Sequence, residues 1–146
     1  AIWSFGAIHH KSQKRKSFEN MNRVLKKGGR VVIGDVFTGS NLARNFDDKI
    51  AKYSITGHDF FFLSKEYADT ICQLAEFEKP QFFDVNLQWK FKSKKDIGIF
   101  IYKFHAMTKT TPEQCLRDAE EILGVKRKDE FYYLNWPMTI LVTKKP

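Results

Sequence analysis

Residues 30–37 read Arg-Val-Val-Ile-Gly-Asp-Val-Phe and place Val31, Val32, Ile33 and Val36 in an almost unbroken apolar run. A strand with one wet face alternates polar and apolar residues, whereas a continuous run belongs to a strand covered on both faces, as in parallel sheets sandwiched by helices. The flanks agree. Residues 12–27 carry Phe18, Met21, Val24 and Leu25 at helical spacing, with Ser12 able to cap the start and Gly28-Gly29 as the stop. Ahead of that helix, residues 2–8 read as a second buried strand running into a Gly-containing turn.

The rest of the chain continues the alternation. Gly39-Ser40 opens a helix with Leu42, Ala43, Phe46, Ile50 and Tyr53 on one side, and after the loop at Gly57, Ser64 caps another carrying Ala68, Ile71, Cys72 and Ala75. Residues 82–91 alternate Phe83, Val85, Leu87, Trp89 and Phe91, a strand with one buried face. Residues 96–107 fit both periods, and their length favours a helix. Thr111-Pro112-Glu113-Gln114 is a helix start, with Thr as cap, Pro at the first position and Gln placed to complete a capping box; Gly124 ends that helix. The chain closes on Phe131 to Thr143, where Met138 to Thr143 is the better strand, with regular pairing expected after Pro137, which has no amide proton to give a ladder. Strand, helix, strand, two helices, strand, two helices, strand makes an α/β layered fold with a mainly parallel sheet.

The 146 residues suit a single domain, and 42% hydrophobic residues with 14 Phe supply a core. No apolar run approaches the ~20 residues of a membrane span and no signal peptide is present, so the chain reads as soluble and cytoplasmic, with no membrane partner. Cys72 and Cys115 each fall on the apolar face of a helix, as reduced, buried thiols do. The net charge is +8, with the densest basic patch at residues 11–16, Lys-Ser-Gln-Lys-Arg-Lys. Solvated faces explain such patches more economically than nucleic acid, since no nucleic-acid signature accompanies them.

Two stretches carry a resemblance. Ser4-Phe5-Gly6-Ala7-Ile8-His9-His10, followed by Arg23-Val24-Leu25-Lys26-Lys27-Gly28-Gly29-Arg30-Val31-Val32-Ile33-Gly34-Asp35, resembles the second half of a class I, Rossmann-like S-adenosylmethionine-dependent methyltransferase. In that family a strand ends in a small-residue turn often followed by His, and a helix ends in an Arg-Val-Leu-Lys-Pro-Gly-Gly-like turn into a strand closing on Asp. Lys27 stands here where Pro is usual. The resemblance implies strands four to seven of a seven-stranded sheet, the last antiparallel.

The Gly-rich loop after the family's first strand and the acidic residue that holds the cofactor ribose have no counterpart in these residues. The resemblance therefore implies a C-terminal half whose cofactor-binding N-terminal half is absent, and weak or no S-adenosylmethionine binding by this chain alone. A buried strand left as a sheet edge exposes unpaired backbone groups, so the strand at residues 2–8 is expected to pair with that missing half or with a second copy. A non-catalytic interaction or dimerisation module, with RNA held by the basic patches, is the alternative.

Ligands in open parallel sheets bind beyond the carboxyl ends of the strands. That rule brings His9, His10 and Asp35 into one cleft as candidate catalytic groups, with histidine able to take an acceptor proton near neutrality. By the resemblance, Ser4, Phe5, Gly6 and Ala7 lie along the cofactor. His58, Phe60, Phe61 and Trp136 are expected near a small-molecule acceptor, Phe60-Phe61-Phe62 as an apolar lid. Trp89 and Trp136 read as core, and His105 as a helix cap. A zinc site from His9, His10, His58 and Asp59 has no common metal-ligand spacing, so no metal is expected.

Overall fold

A computed structural model describes residues 1–57 and 61–146. His58, Asp59 and Phe60 lie outside the described residues, and with them two of the expected acceptor contacts. The elements are β1 (Ile2–Phe5), a 3-10 turn (Ile8–His10), α1 (Lys14–Val24), β2 (Arg30–Asp35), α2 (Asn41–Asn45), a π-helical turn (Phe46–Ile50), α3 (Ala51–Tyr53), α4 (Lys65–Leu74), β3 (Gln81–Phe91), α5 (Lys94–Phe104), α6 (Pro112–Ile122), β4 (Val125–Lys128) and β5 (Phe131–Lys144). The strands form a five-stranded sheet in the order β1-β2-β5-β3, with β4 paired to β5. β1 is parallel to β2 and β5 is antiparallel to it, as the sequence implied for the last strand. Among the described residues no helix is long and apolar enough to cross a membrane.

The chain divides into two compact units. The first comprises Ala1–Thr38, Phe60–Val85 and Met138–Pro146. Its core joins Phe18 of α1, Val31 and Ile33 of β2, Ile71 and Cys72 of α4, and Leu141 of β5. Burying a side chain such as Phe18, which is fully covered, stabilises by about 1.5–3 kcal/mol. β2 is apolar on both sides as its sequence demands, with Val31 and Ile33 fully buried. Its Gly34 is a packing necessity: a Cβ there would lie 2.7 Å from the Phe5 ring and 2.9 Å from Ile140.

Three expectations fail in this unit. β1 ends at Phe5, and it is not covered on both faces: Trp3 is 65% and Phe5 47% exposed, stacked on each other with centroids 6.3 Å apart. It stands at the end of the strand order, so residues i and i+2 share a face that no neighbouring strand shields. Ser12 does not cap α1; Gln13 occupies that position without a side-chain bond. Val24 points to solvent at 62% exposure, and the end of α1 is instead held by Lys145, whose Nζ donates to the Asn22 and Leu25 carbonyls at 2.9 and 3.1 Å. A cation suits a helix C-terminus, where unsatisfied carbonyls and the dipole concentrate negative charge.

The second unit comprises Gly39–Asp59 and Asn86–Pro137. Ser40 caps α2 by accepting from the Ala43 amide, and Leu42, Ala43, Phe46 and Ile50 turn inward through the π-helical turn. Residues 96–107 resolve as helix α5, fixed by a reciprocal capping box between Ser93 and Asp96. Thr111 caps α6 with Pro112 at its start, but Gln114 does not close a box; its amide reaches forward to Asp118 at 2.9 Å, where Lys49 Nζ also pairs at 2.9 Å.

The β4–β5 hairpin is absent from the sequence reading, because Lys126-Arg127-Lys128 registers as a charge patch and not as a strand. Nor is the regular pairing of β5 confined to residues after Pro137. The strand runs through Pro137, which falls in the gap between the stretch paired with β4, ending at Leu134, and the stretch paired with β2, starting at Thr139. A residue without an N–H is tolerated where that edge has no partner. β3 also departs from expectation: Phe83 is 50%, Leu87 39% and Trp89 43% exposed, because β3 is the sheet's other edge. Trp89 therefore lies half out of the core, its ring against Phe100 and Trp136, while Trp136 is buried as expected. His105 follows α5 as its C-cap, its ring stacked on Trp136.

Both cysteines are free and buried. Burial pushes the Cys72 thiol up to about 12 and the Cys115 thiol up to about 11. Because the thiolate is the reactive form, neither should react with a disulfide reagent at pH 8 in the native protein, and both should react once denatured. Rapid native labelling of either would contradict the packing described.

Candidate functional site

Parallel pairing sets Phe5 opposite Gly34, so the carboxyl ends of β1 and β2 lie side by side. The Gly6 amide donates to the Gly34 carbonyl at 2.8 Å, and the chain then leaves the strand through Gly6 at φ +57, a conformation that favours glycine. The 3-10 turn follows, and Asp35 waits at the end of β2 to receive it.

Asp35 is 1% exposed, and a carboxylate so buried must be hydrogen-bonded. Its Oδ2 accepts from the Ile8 and His9 amides at 2.8 and 3.2 Å, and its Oδ1 accepts from the Val36 amide at 2.7 Å. Oδ1 also meets His9 Nδ1 at 2.5 Å. One side chain thus fixes both the backbone of the turn and the orientation of the imidazole. His9 is buried, with the Phe62 ring 6.0 Å away and the more exposed His10 ring 4.1 Å away. Desolvation, then the neighbouring His9, lowers the His10 pKa below its ordinary value.

The structure brings His9, His10 and Asp35 together as the strand-end rule anticipates. Ser4, Phe5, Gly6 and Ala7 form the adjoining strand end and turn. Phe61 is 71% exposed, its ring 6.0 Å from Lys14 Nζ. Trp136 belongs to the second unit, where it packs with Trp89, Phe100 and His105.

Sequence reasoning missed Lys14. Lys14 sits in the basic patch yet is 2% exposed, its ammonium donating to the Lys11 carbonyl at 2.8 Å; burial lowers its pKa, and the charge of Asp35 partly offsets that. Nothing in a run of lysines marks which one turns inward. A shallow cleft of about 390 Å³ runs beside His10, lined by Lys11, Ser12, Lys16 and Asn20 among others. Among the described residues no three His, Cys, Asp or Glu side chains cluster as a metal would need.

No protein-family model matches the sequence, and no curated protein does. Solved structures do. The YcgJ protein from Bacillus subtilis superposes with a TM-score of 0.65 at 15% identity, over 99% of this chain and 62% of its own. An S-adenosylmethionine-dependent methyltransferase from Thermotoga maritima gives 0.55 at 16% identity, over 99% and 55%. The chain has the class I methyltransferase fold. A phosphoethanolamine N-methyltransferase from Haemonchus contortus, solved with phosphomonomethylethanolamine and S-adenosylhomocysteine, gives 0.57 at 15% identity, over 99% and 32%. The chain thus spans about two thirds or less of each of these methyltransferase-fold proteins.

Proposed function

We propose that the chain is the C-terminal part of an S-adenosylmethionine-dependent methyltransferase in which His9 takes the proton of a small-molecule acceptor and Asp35 holds the ring for that task. The observation that carries this reading is the His9–Asp35 contact at the carboxyl ends of two parallel strands. With Nδ1–H committed to the carboxylate, a neutral imidazole carries its lone pair on Nε2, the atom that would take the acceptor's proton. The apolar Phe62 ring beside His9 limits water there.

S-Adenosylmethionine would supply, when bound, a sulfonium methyl group whose carbon an acceptor O, N, C or S attacks in line, with S-adenosylhomocysteine leaving. The residues present suit its approach. A Cβ on Gly6 would meet no atom within 4 Å, so the space above the turn is open, and Phe5 offers a half-exposed ring beside it. Ser4, Phe5, Gly6 and Ala7 would line it. Phe61, exposed and in the same unit as His9, is assigned to acceptor contact. The remaining cofactor contacts come from a longer chain, whose strands pair on β1, the edge where Trp3 and Phe5 are exposed.

The test is His9→Asn in the longer protein that carries this segment, with S-adenosylhomocysteine release as readout. Asparagine keeps an N–H donor for Asp35 and removes the base. The expected result is a kcat lower by about 10²–10⁴ with KM and thermal midpoint little changed. An unchanged kcat would leave His9 a structural residue only.

A further inference from the structure

In the second unit one face of the sheet carries cations, amides and rings. Register places Lys126 opposite Tyr133 and Lys128 opposite Phe131, and directly paired residues point to the same side. β3 adds Lys90, whose ammonium sits 3.6 Å from the Phe131 ring centroid, and Asn86 and Gln88, which donate to Asn135 Oδ1 at 3.2 and 2.9 Å. Lys90, Lys126, Lys128, Asn86 and Gln88 are all exposed, so nothing among the described residues covers this side. The hydrophobic residues of β5 at Leu134 and Trp136 point the other way and are buried.

We propose that this face binds single-stranded nucleic acid. Three lysines, one on β3 and two on β4, the two strands that pair with β5, form a patch of positive charge for phosphates, and counterion release from such contacts drives binding. Tyr133 supplies a half-buried ring between the lysines, and a sheet that presents aromatic rings holds bases by stacking, as sheet-type RNA-binding surfaces do. Lys90 over Phe131 makes the neighbouring ring a cationic spot. Asn86, Gln88 and Asn135 add donors and acceptors of the kind that meet base edges. A membrane surface would call for exposed apolar side chains among the lysines, and this face has amides there instead. The inference is independent of the His9–Asp35 reading, and it moves nucleic-acid recognition away from the basic patch at residues 11–16.

The experiment is fluorescence anisotropy of a labelled twelve-nucleotide uridine oligomer titrated with the full chain at two salt concentrations. Three phosphate contacts on a single strand predict affinity about 20-fold weaker at 200 mM than at 50 mM salt. The combined K90Q, K126Q and K128Q variant should bind at least about 10-fold more weakly with a flattened salt dependence. Tyr133→Ala should weaken binding by about 5-fold or more with the salt slope retained, since stacking is worth ~1–3 kcal/mol per base. The lysine substitutions are on the surface, and circular dichroism confirms the fold of each variant. Absence of binding by the parent chain overturns the proposal. So does a triple variant that binds like the parent, loss of binding in a K11Q, R15Q, K16Q variant instead, or lysine-dependent binding to phosphatidylserine vesicles with none to the oligomer.

Discussion

Asp35→Ala is expected to destabilise the protein by about 3–5 kcal/mol, because it strands buried donors and does not merely remove one bond. The lost carboxylate serves the amides of Ile8, His9 and Val36 and the His9 ring, and with Asp35 1% exposed little water can replace it. For a chain of this size each kcal/mol moves the thermal midpoint by about 2–4 °C, so a drop of roughly 10 °C is expected. Asp35→Asn should fall most of that way, since one of its two groups would point an N–H at another N–H. His9→Asn should barely move the midpoint, because it keeps a donor for the carboxylate. If Asp35→Asn melts with the parent, Asp35 is not the bracket of the turn and the candidate site loses its organising residue.

Gly98→Ala is expected to be the most damaging single methyl group in the second unit. Helix propensity alone would favour alanine by about 1 kcal/mol. Packing reverses the sign: a Cβ at Gly98 would stand 2.2 Å from the Pro112 carbonyl oxygen and 3.2 Å from the Leu116 Cβ. The obstacle is backbone at the start of α6, which cannot rotate away, so α5 and α6 must separate. Overpacking of this kind costs about 1–3 kcal/mol and occasionally more, and a net loss near the top of that range is expected. Urea unfolding monitored by tryptophan fluorescence, with Trp89 and Trp136 in the same unit, reports it directly. A variant as stable as the parent would mean that the two helices do not meet at Gly98.

The sequence was most legible where one local rule decides the outcome. Ser40, Ser64 and Thr111 each begin a helix at the position their side chains cap. The unbroken apolar run at β2 announced a strand buried on both faces, and His9, His10 and Asp35 could be placed together because two parallel strands must end on the same side. The cysteines were readable for the same reason, each falling on a helix's apolar face.

What local rules could not carry was which strands lie at the edges and which charges turn inward. Trp3, Phe5, Leu87 and Trp89 alternate as core residues do, yet they are exposed because β1 and β3 close the strand order, a fact set by the whole sheet. Lys126, Arg127 and Lys128 have no β-preference of note and become a strand only because β5 offers them a partner. Lys14 is chemically like its neighbours and is buried through its position on α1. The sequence by itself determined the order of elements apart from β4, the caps at Ser40, Ser64 and Thr111, and the residues able to do chemistry at the strand ends. The tertiary structure decided the edges, the inward lysine and the four-donor grip of Asp35, because each depends on partners distant along the chain that no periodicity encodes.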